Sequence, residues 1–170
     1  MSNPAIIHWN AGKRVLRYLK DADWGSQPHR HSISGFTFLV AGGAVSWSSR
    51  KQSLVAQSTA EVELIATSDA GRELLWYRAL ITELTTILTR PTVLYCDNQS
   101  AIKIAESGLL HARTKHIDIR FRFVHELITN NAAEPVYCHT TEMLADMFTK
   151  ALPGHKLKPF IEKLGLRRLA

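Results

Sequence analysis

A chain of 170 residues is long enough to bury one good hydrophobic core and too short for two ordinary domains to be the expectation. Its 45% hydrophobic and 21% charged residues exclude a disordered chain. The 21 Lys and Arg against 15 Asp and Glu give a net charge of +6, which suits a polyanionic partner as well as simple solubility. In chain order, residues 8–20 carry Trp9, Val15, Leu16 and Leu19 among Lys13, Arg14 and Arg17, the pattern of a short basic amphipathic helix. Two strands follow, 34–40 and 44–48, with Gly42-Gly43 as the turn between them. Ser58 opens a long helix to about Leu84, with Val62, Ala66, Ala70, Leu74, Tyr77, Ile81 and Leu84 as its stripe and Ser58 with Glu61 as its capping box.

The apolar run 93–96 reads as a buried strand, and residues 98–107 as a helix that Gly108 stops. A second long helix starts at Thr114, buries Ile117, Phe121, Val124 and Ile128, and ends at Asn130-Asn131. Residues 134–138 form a last strand. Thr140 or Thr141 then caps a helix through Lys150, and a closing helix covers 157–164. This order predicts an α/β fold with a mixed sheet and helices on both faces. Cys96 and Cys138 form no CxxC pair and have no histidine cluster beside them, so free thiols are expected. With no membrane-length apolar run and no secretory signal, an intracellular protein, cytoplasmic or nuclear, is expected.

Ligands in such sheets gather at the carboxyl ends of parallel strands, where Asp97 falls. On position alone its commoner use is to cap the following helix. Asp21 and Asp23 bracket Ala22, so both carboxylates point to one face of an extended chain. Glu61 fits the capping box, which leaves Glu63 in the second helical turn without a capping role. Asp146 is flanked by Leu144, Ala145, Met147 and Phe148 on a helix expected to pack on the sheet. Singly each acid reads as a surface group. Together they form a set of oxygen donors suited to Mg²⁺, and two ions about 4 Å apart would serve phosphodiester hydrolysis.

The segments WNAGKRVLRYLK, DADW, SGFTFLVAGGAVSWSSRKQ, STAEVELIA, YCDNQSA, HARTKHIDIR and LADMFTKALP, in this order, resemble the ribonuclease H domain of copia-type retrotransposon polyproteins over nearly the whole chain. The resemblance implies that Asp21, Glu63, Asp97 and Asp146 bind two Mg²⁺ ions, with Mn²⁺ as substitute and Asp23 as a neighbour. It implies a ribonuclease H-like fold with a five-stranded mixed sheet, three strands antiparallel and two parallel. It divides the chain into an N-terminal segment 1–20, a nuclease domain 21–152 and a C-terminal helical extension 153–170. The implied activity is cutting of the RNA strand of an RNA–DNA hybrid, beside a reverse transcriptase domain in the parent polyprotein. The acid-free N-terminus matches the family's segment before the nuclease domain and so is not read as a transit peptide.

A hybrid is recognised through its phosphates and the 2′-hydroxyls of its shallow minor groove, which calls for basic and amide side chains beside the acids. His111, Arg113, Lys115, His116 and Arg120 are the basic candidates, although exposed Lys and Arg are commonly just solvated and His116 also suits a packed or capping role. Asn98 and Gln99 are the amide candidates. His139 reads as a loop residue. One departure from the family stands out: Lys20 runs straight into Asp21, where family members carry a stretch holding most of the first strand. Residues 17–23 are then expected to serve as that strand. The alternative is a catalytically impaired remnant that binds nucleic acid or protein. A transposase or integrase nuclease is disfavoured by Glu63 on the helix after the hairpin and by the copia-like motifs.

Overall fold

The computed structural model of the chain describes residues 32–53, 56, 58–84, 88–109 and 115–166. Its elements run β1 (Ile33–Val40), β2 (Gly43–Lys51), α1 (Thr59–Leu84), β3 (Thr92–Cys96), α2 (Gln99–Ser107), α3 (Lys115–Thr129), β4 (Ala133–Tyr137), two 3-10 turns (Thr140–Glu142 and Leu144–Phe148) and α4 (Gly154–Lys163). The fold is mixed α/β, with four helices and two two-stranded sheets among the described residues, rather than one five-stranded sheet. The helix expected over 8–20 and the strand expected over 17–23 lie outside the described residues. Two compact units are present, one within Met1–Val55 and Leu144–Ala170, the other within Ala56–Met143. No helix among the described residues is long and apolar enough to cross a membrane.

In the first unit, β1 and β2 pair antiparallel, Ile33 opposite Lys51 and Val40 opposite Gly43. The turn is Ala41-Gly42, one residue earlier than the Gly-Gly pair suggested, with φ of 52° and 79°. Positive φ at both central residues gives a two-residue turn whose twist matches the strands, and glycine is needed only at the second position if alanine accepts the strain of the first. Gly43 is thereby recruited into β2. A bulge after Phe38 leaves Val45 as the extra residue, 41% exposed.

This unit's core is Met147, Phe148, Phe160 and Leu164, packed by Trp47, Leu144, Leu157 and Ile161 among others. The single helix expected over 140–150 is not formed. Met143 adopts an extended conformation (φ −71°, ψ 100°) that separates the two 3-10 turns, and in the second of them Asp146, Met147 and Phe148 are all buried. Ser49 Oγ donates to the Phe148 carbonyl at 2.6 Å, tying this turn to the hairpin.

The second unit packs α1, α2 and α3 with β3 and β4 around Leu64, Cys96, Ala101, Ala105, Phe121 and Val124. The α3 stripe appears with Ile117, Phe121 and Val124 buried, joined by Leu127, while the expected Ile128 is only partly buried. The α1 stripe does not. Its buried residues are Leu64, Ile65, Ser68, Ala70, Gly71 and Leu74, so only Ala70 and Leu74 are shared with the expected set, and Leu84 is exposed. The small residues favour this face: Gly71 lies against the side chains of Leu127 and Phe123, which would have to shift to admit a larger residue at the crossing of α1 and α3. Gly108 ends α2 in the left-handed conformation, and Asn131 (φ 55°) ends α3 with Ala132 N–H donating to the Leu127 carbonyl at 2.9 Å.

Candidate functional site

The strands β3 and β4 are parallel and in register, Thr92 beside Ala133 and Cys96 beside Tyr137, so the residues that follow them emerge at one rim. Cys138 N–H donates to the Cys96 carbonyl at 2.9 Å and carries this pairing one residue past the strands. Asp97 is the next residue of its chain segment and is half-buried.

Two residues compete to cap α2, and Asn98 takes the role. Its backbone is extended (φ −114°, ψ 100°), its Oδ1 accepts the Ala101 N–H at 3.0 Å, and its Nδ2 donates to Thr59 Oγ1 at 3.5 Å. Asp97 is released from capping, the use its position alone favoured. Instead its Oδ2 accepts a hydrogen bond from Thr140 Oγ1 at 3.0 Å.

The α1 end of the site follows the same division of labour. Glu61 N–H donates to Ser58 Oγ at 3.2 Å, one half of the expected capping box, while Glu63 lies in the next turn and is half-buried. The Cys96 thiol reports both acids. Burial pushes it up from 9.0 to about 11, against the lowering effect of its hydrogen bond with the Asn98 backbone, and the charges of Glu63 and Asp97 add to the rise. Carboxylates from a helix and from a strand end therefore bear on one buried group. Carboxylate oxygens are donors of the kind that a hard divalent cation accepts, so the chemistry of these two side chains suits Mg²⁺.

A thiol with this pKa forms about 100-fold less thiolate at pH 8 than one at 9.0, because only the thiolate reacts and the upward shift withholds it. Cys96 of the folded protein is thus expected to resist iodoacetamide at pH 8 and to react freely in denaturant. Peptide mass spectrometry after timed alkylation checks this, and equal Cys96 rates in the folded and denatured chain would contradict the burial described.

In the other unit, Asp146 is 9% exposed and its Oδ1 accepts from Lys150 Nζ at 2.8 Å. The lysine supplies the positive charge that a carboxylate so buried requires. The main-chain carbonyl of Asp146 also accepts the Thr149 and Lys150 N–H groups, at 3.1 and 2.9 Å. Asp21, Asp23, His111 and Arg113 lie outside the described residues. Among those described, no three His, Cys, Asp or Glu side chains gather closely enough to hold a metal ion.

Of the expected nucleic-acid contacts, Lys115 and His116 open α3, and Gln99 opens α2 with its side chain exposed. Arg120 is differently employed. It pairs with Asp69 at 2.7 Å, their side chains only 20% and 24% exposed, and so pins α3 to α1. His139 is an exposed loop residue as expected, its Nδ1 accepting the Thr141 N–H at 3.3 Å to cap the turn Thr140–Glu142. Sequence reasoning overlooked Thr140 as a contact of Asp97. The signal was available in the parallel pairing of 93–96 with 134–138, which brings the residues after both strands together.

The chain is similar to the retrovirus-related Pol polyprotein from transposon TNT 1-94 of Nicotiana tabacum, 36% identical over 187 residues that cover 98% of this chain and 14% of that protein. It is likewise similar to those from transposons RE2 and RE1 of Arabidopsis thaliana, each 33% identical over 98% and 99% of this chain and 13% of theirs. The chain thus spans about one seventh of the length of these relatives. The alignments extend over 187 to 191 positions, more than the 170 residues present, so the relatives carry residues that have no counterpart here. No family model and no solved structure matches the chain.

Proposed function

Because its homologues are the retrovirus-related Pol polyproteins of plant copia-type transposons, which makes this a retrotransposon-derived chain, we propose that it is a metal-dependent ribonuclease H cutting the RNA strand of RNA–DNA hybrids. The observation that carries the reading is the placement of Asp97. It directly follows β3 beside the parallel strand β4, leaves capping to Asn98, and shares the surroundings of the Cys96 thiol with Glu63. The ligands in this reading are Asp21, Glu63, Asp97 and Asp146, with Asp23 beside Asp21, and the fold is completed as a five-stranded ribonuclease H-like sheet.

When bound, two Mg²⁺ ions, or Mn²⁺ in their place, supply Lewis-acid activation of water and neutralise charge at the phosphodiester. The chain's own residues hold and orient. Glu63 and Asp97 provide fixed negative charge at the rim of β3. His111, Arg113, Lys115 and His116 meet backbone phosphates, which set register without reading sequence. The exposed amide of Gln99 reaches sugar hydroxyls, whereas Asn98 acts through the helix it caps. Arg120 serves this surface indirectly, by holding α3 in place through Asp69. A reverse transcriptase domain of the parent polyprotein is the proposed neighbour.

A second reading is favoured by the alignment lengths: a chain that lacks residues its relatives possess can have lost catalysis and kept binding. One experiment separates the two. End-labelled RNA, paired with DNA, paired with RNA or single-stranded, is incubated with the protein and Mg²⁺ or Mn²⁺. The nuclease reading expects RNA shortening in the hybrid alone and only with a divalent cation. Retention of the hybrid without cutting at any metal concentration indicates the binding module, and neither binding nor cutting removes both.

A further inference from the structure

The carboxylate of Asp97 has been freed from capping only to be held from the opposite side. Thr140 Oγ1 donates to its Oδ2 at 3.0 Å, and Oδ1 receives no hydrogen bond among the described residues. The donor is itself held. Thr140 opens a turn capped by His139, whose Nδ1 also lies 2.9 Å from Thr141 Oγ1, and Glu142 N–H donates to the His139 carbonyl at 2.8 Å. The Cys138–Cys96 backbone bond at 2.9 Å fixes this loop to the end of β3, one residue from Asp97. Threonine is β-branched and stiff about its first side-chain torsion, so a held backbone aims the hydroxyl.

Resting on the nuclease reading above, we infer that Thr140 is a positioning residue for Asp97: its hydroxyl holds Oδ2 in one rotamer and so presents Oδ1 to a divalent cation. Outer partners of metal-binding groups act in this way, orienting a ligand they do not replace, and their loss typically costs about 10- to 100-fold in affinity or activity. The role belongs to the hydroxyl hydrogen and not to the bulk of the side chain. Valine keeps the shape and removes the donor, while serine keeps the donor.

The test uses the full chain and Mn²⁺ alone as probe, with affinity read from electron paramagnetic resonance titration. Thr140→Val is expected to weaken Mn²⁺ binding about 10-fold and to raise by a similar factor the Mg²⁺ concentration needed for half-maximal hybrid cleavage. Thr140→Ser is expected to stay within about 3-fold of wild type in both, since it retains the charge-assisted hydrogen bond. Thermal melting of both variants follows wild type, because Thr140 is exposed. Unchanged Mn²⁺ affinity in Thr140→Val, or equal losses in the valine and serine variants, overturns the inference while wild-type cleavage leaves the nuclease reading standing. A wild-type chain that neither binds Mn²⁺ nor cuts hybrid overturns both.

Discussion

In the nuclease reading, Asp97→Asn is expected to lower hybrid cleavage by on the order of 100- to 1,000-fold, the scale on which losing one preorganised electrostatic group reduces a catalytic rate. Asparagine is nearly the same shape as aspartate and differs in charge. It keeps a carbonyl oxygen that can accept from Thr140 Oγ1, so the contact now made at 3.0 Å survives. It also leaves α2 untouched, because the Ala101 N–H is capped by Asn98 and not by residue 97. The fold should therefore hold. A half-buried site without a cap to lose belongs with substitutions that change stability by only about 0.5 kcal/mol, and the melting temperature should move by a few degrees at most. Glu63→Gln tests the same charge from α1 and should cause a loss of similar order. Initial rates on labelled hybrid, taken beside thermal melts, check the pair. Full activity in Asp97→Asn would remove Asp97 from the chemistry, and a collapse in melting temperature would show that its role is structural.

How much of this could be read in the chain depends on how many local signals agreed. Strand 92–96, helix 99–107 and the stop at Gly108 were legible because an apolar run, a cap and a stop signal fall in order, although Val93 and Tyr95 are exposed where a buried strand was expected. The division between Asp97 and Asn98 was not. Adjacent Asp and Asn have equal claims on a cap, and only the extended backbone of Asn98 and its bond to Ala101 decide between them. The stripe of α1 failed for a related reason. Val62, Leu64, Ile65 and Ala66 are apolar nearly all round the helix, so periodicity offers several faces, and the crossing with α3 at Gly71 selects one. Residues 140–150 carry helix-compatible residues throughout, yet Met143 is extended and two 3-10 turns replace the helix. Long-range contacts cause that break, since Phe148 and Met147 must reach the core beside Phe160 and the Phe148 carbonyl must meet Ser49. Arg120 illustrates the limit on charge. Nothing local distinguishes a cation aimed at phosphate from one paired with an aspartate 51 residues away.

Gly35→Val should be the most damaging change outside the acids, because it acts on the turn that carries Asp146. A Cβ at position 35 would lie 2.7 Å from Thr149 Cγ2, 2.9 Å from Phe148 Cβ and 3.3 Å from the Ala145 carbonyl oxygen. Thr149 can rotate away. The Phe148 Cβ and the Ala145 carbonyl are fixed to the backbone, and Phe148 is anchored both in the core and through Ser49, so the turn must shift as a whole or the strand must give way. Overpacking of this kind costs about 1–3 kcal/mol, and each kcal/mol lowers the melting temperature of a chain this size by roughly 2–4 °C. The displaced turn also strains the Asp146–Lys150 pair, so in the nuclease reading cleavage should fall further than the loss of folded protein explains. Gly154→Ala is the control within the same unit, since a Cβ there meets nothing within 4 Å at the start of α4. Chemical unfolding and hybrid cleavage, measured on both variants under conditions where each is folded, separate stability from placement. If Gly35→Val melts and cuts as Gly154→Ala does, β1 and the turn at Leu144–Phe148 are not in contact as described.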